Sequence, residues 1–136
     1  MSVNLTPRMK DWFTENGAHI ALATKTGFPS VIVAETVKAG DDTIRITLSS
    51  SQIKQIEQIL LENPYAALAP GNLGSVRAPY QVKGTAKLWS DLLEIKVEEV
   101  YCTKPGAEAG IRLDTLGYDG MKEYEESRWT DLSPKV

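Results

Sequence analysis

A chain of 136 residues with 42% hydrophobic and 24% charged side chains can fill one core and is too short for two. Its net charge of −3 offers no basic footprint for nucleic acid, and its single cysteine, Cys102, excludes an intramolecular disulfide framework and any multi-cysteine metal site. Residues Met1 to Lys10 hold no signal-peptide core and no run nears the roughly 20 apolar residues of a membrane span, so a soluble cytoplasmic protein is expected.

Thr6-Pro7 opens the first helix, a cap residue followed by a proline whose missing N–H costs nothing there. Met9, Trp12 and Phe13 form its apolar stripe and Gly17 ends it. Ala18 to Thr24 is the first expected strand, closed by the turn Lys25-Thr26-Gly27-Phe28-Pro29. Ser30 to Lys38 is the second. Its run Val31-Ile32-Val33-Ala34 is apolar on consecutive positions, which predicts cover on both faces, the core on one and a partner subunit on the other. Ala39-Gly40-Asp41-Asp42 turns the chain into a third strand, Thr43 to Leu48, with Ile44, Ile46 and Leu48 inward.

Ser49, Ser50 and Ser51 then offer caps for a helix in which Ile53, Ile56 and Leu60 recur at helical spacing, up to the stop at Asn63-Pro64. Free first-turn amides, hydroxyls and Lys54 together would suit a phosphate. The plainer alternative is that the serines only cap a helix and Lys54 is a solvated surface charge.

Tyr65 to Ala69 is a short fourth strand, and the Gly- and Pro-rich stretch Pro70 to Pro79 a loop. Tyr80 to Trp89 alternates, with Tyr80, Val82, Ala86 and Leu88 against Gln81, Lys83, Thr85 and Lys87, and Gly84 marks a bend or a close backbone approach. Leu92 to Tyr101 sets Leu93, Ile95 and Val97 opposite Glu94, Lys96 and Glu98. These six strands with one inserted helix predict a mainly β fold, an antiparallel, partly closed barrel forming one domain over residues 1–136. Lys104 to Gly110 reads as a loop and Asp119 to Trp129 as a polar helix. That tail, residues 113–136, is too polar to fold alone and is expected to pack through Tyr118, Tyr124 and Trp129.

Conventional catalytic constellations are missing. His19 is the only histidine, Cys102 lacks a cationic neighbour in sequence, and the acid pairs Asp41-Asp42, Glu98-Glu99 and Glu125-Glu126 are placed in turns or on solvated faces. Chemistry on this chain would have to come from a bound cofactor, with no catalytic side chain or metal ligand assigned.

The order of Ala23-Thr24, Gly27-Phe28-Pro29, Leu48-Ser49-Ser50-Ser51 with Lys54, Glu62-Asn63-Pro64 and Tyr80-Gln81-Val82-Lys83-Gly84-Thr85-Ala86 resembles the pyridoxamine 5'-phosphate oxidase-like family of flavin-binding split barrels. Val100-Tyr101, Lys104-Pro105-Gly106 and Glu108-Ala109-Gly110 are similar to its short stand-alone members. The resemblance spans about residues 15 to 112. It implies a homodimer with FMN at each of two sites along the subunit interface. Ser49, Ser50, Ser51, Lys54 and Gln55 would surround the phosphate. Ser30, Val31, Ile32 and Val33 would run beside the isoalloxazine, largely through backbone groups. Gln55 stands where the family often has a second basic or hydroxyl residue, and the arginine-containing substrate segment of the true oxidases is not recognisable. The implied function is an FMN-dependent oxidoreductase or electron carrier acting on a small molecule. The alternatives are a deazaflavin-dependent reductase of the same fold, or a non-enzymatic flavin- or haem-binding module.

Overall fold

Thr6 accepts a hydrogen bond from the Met9 amide and starts α1 (Pro7–Asn16), whose Met9, Trp12 and Phe13 are buried. Gly17 ends it at φ +73°; a side chain there would also run into the Ala34 carbonyl, 2.5 Å from where a Cβ would sit. The computed structural model describes residues 3–25, 27–71, 80–103 and 107–128. Most of the expected Pro70 to Pro79 loop, Lys104-Pro105-Gly106, Thr26 and Trp129 lie outside the described residues.

Beyond Gly17 come β1 (Ala18–Leu22), β2 (Ser30–Ala34), β3 (Val37–Ala39), β4 (Thr43–Thr47), α2 (Ser50–Glu62), β5 (Tyr65–Pro70), β6 (Tyr80–Trp89) and β7 (Leu92–Cys102). A short 3-10 turn (Asp114–Leu116) leads into α3 (Gly117–Arg128). The strands form one antiparallel sheet in the order β2-β1-β5-β6-β7-β4-β3. Its two outermost strands, β2 and β3, follow each other directly in the chain, so the sheet has to curl until its edges approach. The result is a partly closed barrel.

This corrects the expected strand count from six to seven. The second strand breaks at Glu35-Thr36 because its halves serve opposite edges: Ser30 to Ala34 pairs with β1 and Val37 to Ala39 with β4. Hydrophobic pattern carries across such a corner without a mark, and pairing alone reveals it.

The inner face holds Ile20, Leu22, Ile32, Ile44, Ile46, Leu68, Val82, Leu93, Ile95 and Val97, all buried. Gly84 sits at a bulge between β6 and β7, where Glu98 and Glu99 together face Lys83 before pairing resumes at Val97. A Cβ on Gly84 would lie 1.9 Å from the Lys96 carbonyl oxygen, so the close approach expected there is real.

The tail docks on the barrel. Met121 is buried, and Tyr124, half-buried, donates a 2.6 Å hydrogen bond to Glu108 Oε2; Tyr118 stays exposed. Glu125, expected on a solvated face, is instead only 4% exposed. Its Oε2 accepts hydrogen bonds from Thr6 Oγ1 at 2.9 Å and from the Tyr80 hydroxyl. Burial raises the Glu125 pKa above the usual carboxylate range against the opposing pull of those two hydroxyls, and burial beside Glu125 raises Tyr80 far above its ordinary value. Helical periodicity could not place this side chain, because its partners belong to the N-terminal segment and to β6.

Candidate cofactor-binding site

Ser49 caps α2. Its hydroxyl accepts from the Gln52 amide at 3.3 Å, and Gln52 Oε1 accepts from the Ser49 amide at 3.0 Å, a reciprocal capping box. That pair satisfies two of the donors at the helix entrance. The amides of Ser50 and Ser51 have no partner among the described residues, and all three serines are exposed, with Ser49 and Ser51 oxygens 3.1 Å apart. The positive end of a 13-residue helix is thus left open to solvent.

Two side chains of α2 tie this end to β2. Gln52 Nε2 donates to the Val33 carbonyl at 2.7 Å, and Gln55 Nε2 donates to Ser30 Oγ at 3.2 Å. Among the described residues β2 pairs only with β1, which leaves its other edge unpaired there. The Val33 carbonyl points to that free edge, and the two-residue period puts the Val31 peptide groups there as well. Ile32 does the opposite: its side chain is buried in the core and its peptide groups face β1.

Of the residues singled out from sequence, the structure brings together Ser30, Val31, Val33, Ser49, Ser50, Ser51 and Gln55. Ile32 lies behind them. Lys54 is exposed and borders a different groove, between α2 and Ala86 to Leu88 of β6, next to Lys87. It sits about 100° round the helix from Gln55, as adjacent residues on a 3.6-residue helix must. Gln52 escaped notice as a site residue, although Ser49-x-x-Gln52 is a readable capping-box spacing; its reach to Val33 was not readable.

The outer face supplies the rest of the surroundings. Val31 is 53% exposed, so the double cover expected for its strand is present on the inner face alone within one chain. Beside Val33, the half-buried His19 lies with Nδ1 2.9 Å from the Gly71 carbonyl oxygen. A carbonyl can only accept, so Nδ1 carries the proton and, in the neutral ring, Nε2 keeps its lone pair. Cys102 is a buried free thiol. No group of three or more potential metal-ligating side chains occurs among the described residues. No described helix is long and apolar enough to cross a membrane.

No protein-family model and no curated protein sequence matches the chain. Among solved structures, the fold is similar to that of HupZ from Group A Streptococcus, with 19% identity, a TM-score of 0.61, and coverage of 78% of this chain and 99% of that one. It is also similar to a candidate pyridoxamine 5'-phosphate oxidase from Lactobacillus delbrueckii, at 16% identity and TM-score 0.58, over 72% of this chain and 93% of that one. Both are split barrels, so the fold implied by the order of motifs is the fold found.

Proposed function

We propose that this protein is a flavoprotein that holds FMN at the entrance of α2, works as a homodimer, and serves as an oxidoreductase or electron carrier for a small molecule. One observation carries the reading: two amides without a partner among the described residues and three exposed serines, at a helix N-terminus, are fastened beside an open strand edge. Such a helix end suits a phosphate dianion, and an open edge offers the alternating backbone donors and acceptors that a flavin ring edge can pair with. Bound FMN supplies the redox chemistry itself. The chain's part is to hold and orient: Ser49 to Ser51 at the phosphate, and Val31 and Val33 through their peptide groups. The exposed apolar face of β2 supports a second subunit there.

The test is a paired titration of FMN and riboflavin into the wild type and Ser51→Ala. A hydrogen bond to a charged phosphate is worth about 1.5–3 kcal/mol, so Ser51→Ala should weaken FMN roughly ten- to a hundredfold while riboflavin barely changes. Equal, small shifts for both ligands would mean that the helix end holds no phosphate. A monomer at micromolar concentration with flavin bound would remove the dimer from the reading.

A haem-binding module is the second reading, favoured by the fixed tautomer of His19. Haemin titration into wild type and His19→Ala separates the two: a Soret band lost in the variant, with no FMN binding, selects haem.

A further inference from the structure

On the outer face of β1, β5, β6 and β7 lies a groove of about 380 Å³, within the range of small-molecule sites. Its floor is made of Ala21 and Ala67, small side chains paired directly across β1 and β5. Pro29 and Tyr65 line it too, and the Tyr65 residue is 64% exposed. Lys83, Glu98 and Glu99 complete the wall, brought to one place by the bulge at Gly84.

The charges on this wall are not equivalent. Lys83 lays its ammonium 4.6 Å from the centroid of the Tyr101 ring. The Tyr101 hydroxyl donates to Glu99 Oε1 at 2.5 Å, and Glu99 Oε2 is 3.9 Å from Arg112. Glu98 has no hydrogen-bond or ion-pair partner among the described residues. Glu99 is thus held by Tyr101 and Arg112 and Lys83 lies over the Tyr101 ring, which leaves the Glu98 carboxylate unspent. A flat alanine floor, an exposed phenol ring and an unmatched carboxylate select a particular kind of guest.

We propose that this groove binds a small, flat, singly positive organic molecule: an amine on an apolar or aromatic body, carrying no phosphate or carboxylate. The ring body lies on Ala21 and Ala67 against Tyr65, and the ammonium pairs with Glu98. Pro29 immediately precedes Ser30, and Ala21 pairs with Val31, so the groove runs up to β2 on its paired side, one strand's width from the open edge. Its role as the substrate subsite rests on the flavin reading, whereas binding of the amine does not.

Calorimetric titration of the full chain with tryptamine and with indole-3-acetate, with and without saturating FMN, tests the proposal, since the two probes share a ring and differ in charge. Tryptamine should bind about tenfold tighter, and Glu98→Gln should weaken it about three- to fivefold, the scale of an exposed ion pair, without weakening indole-3-acetate. Tyr65→Ala should weaken both probes alike. Preference for indole-3-acetate, indifference of tryptamine to Glu98→Gln, or no binding of either probe overturns the proposal. FMN binding with no tryptamine binding rejects the groove alone; tryptamine binding with no FMN binding upholds the groove and rejects the flavin reading.

Discussion

Glu125 and Ser51 both sit among hydroxyl groups, yet one region is closed and the other open. Around Glu125, the hydroxyls of Thr6 and Tyr80 both end on a single carboxylate oxygen, and the residue is 4% exposed. Around Ser51, the capping box uses part of the donor set and leaves the Ser50 and Ser51 amides without a partner among the described residues. A polar cluster that is buried and saturated joins segments of chain: here the N-terminal stretch, β6 and α3. A polar cluster that is exposed and under-used, on a rigid helix end, has capacity left for a ligand. The difference separates architecture from candidate function without any appeal to residue type, since both clusters are built from hydroxyls and carboxyl or amide groups.

The largest effect should come from breaking the closed cluster. Glu125→Ala strands the Tyr80 and Thr6 hydroxyls in the interior and opens a cavity, so unfolding in urea should show a loss of about 2–4 kcal/mol. FMN affinity of the folded protein should hardly move. A large drop in affinity at unchanged stability would erase the contrast between the two regions.

Gln52→Ala tests the open cluster, because Gln52 completes the cap and reaches Val33. Loss of the box should cost about 1 kcal/mol of stability. The same variant should weaken FMN severalfold, because the helix end is no longer fixed to the strand edge. If stability falls and FMN is indifferent, Gln52 belongs with the architecture.

Gln55→Lys adds a charge beside Ser30, at the helix end where a phosphate is proposed. It should tighten FMN by up to about fivefold, the worth of roughly 1 kcal/mol of exposed electrostatics, and leave riboflavin unchanged. Tightening of both ligands alike would show that the phosphate lies elsewhere.

The smallest effect is a slope. Burial raises the Glu125 pKa above its ordinary 4.5, so the folded state favours the protonated acid. That contribution is fully present below about pH 4.5 and is lost as pH rises through the elevated value. Glu125→Gln stays neutral throughout. The melting temperature of the wild type, measured against that variant from pH 4 to 8, should therefore fall as pH rises. A gap that moves the other way would mean that the two hydroxyls outweigh burial and stabilise the anion.

Much of the fold was legible along the chain because its signals are short-range. Thr6-Pro7, Ser49 and Asn63-Pro64 mark helix ends through contacts within one turn. Ile44, Ile46, Leu93, Ile95 and Val97 alternate as a half-buried strand must. Gly84 announced a crowded backbone, and the serine-rich turn announced an open helix end. Three things belonged to the tertiary structure alone. The corner at Glu35-Thr36 depends on which strands the two halves pair with. The separation of Lys54 from Ser30 and Gln55 depends on how α2 rolls onto the sheet, with Gln55 on β2 and Lys54 beside β6. Burial of Glu125 depends on Thr6 and Tyr80, which lie 119 and 45 residues away. Periodicity reports the face a residue shares with its near neighbours. What that face meets is decided by chain closure, and a polar side chain whose only acceptable partners are distant is indistinguishable, in sequence, from one that points at water.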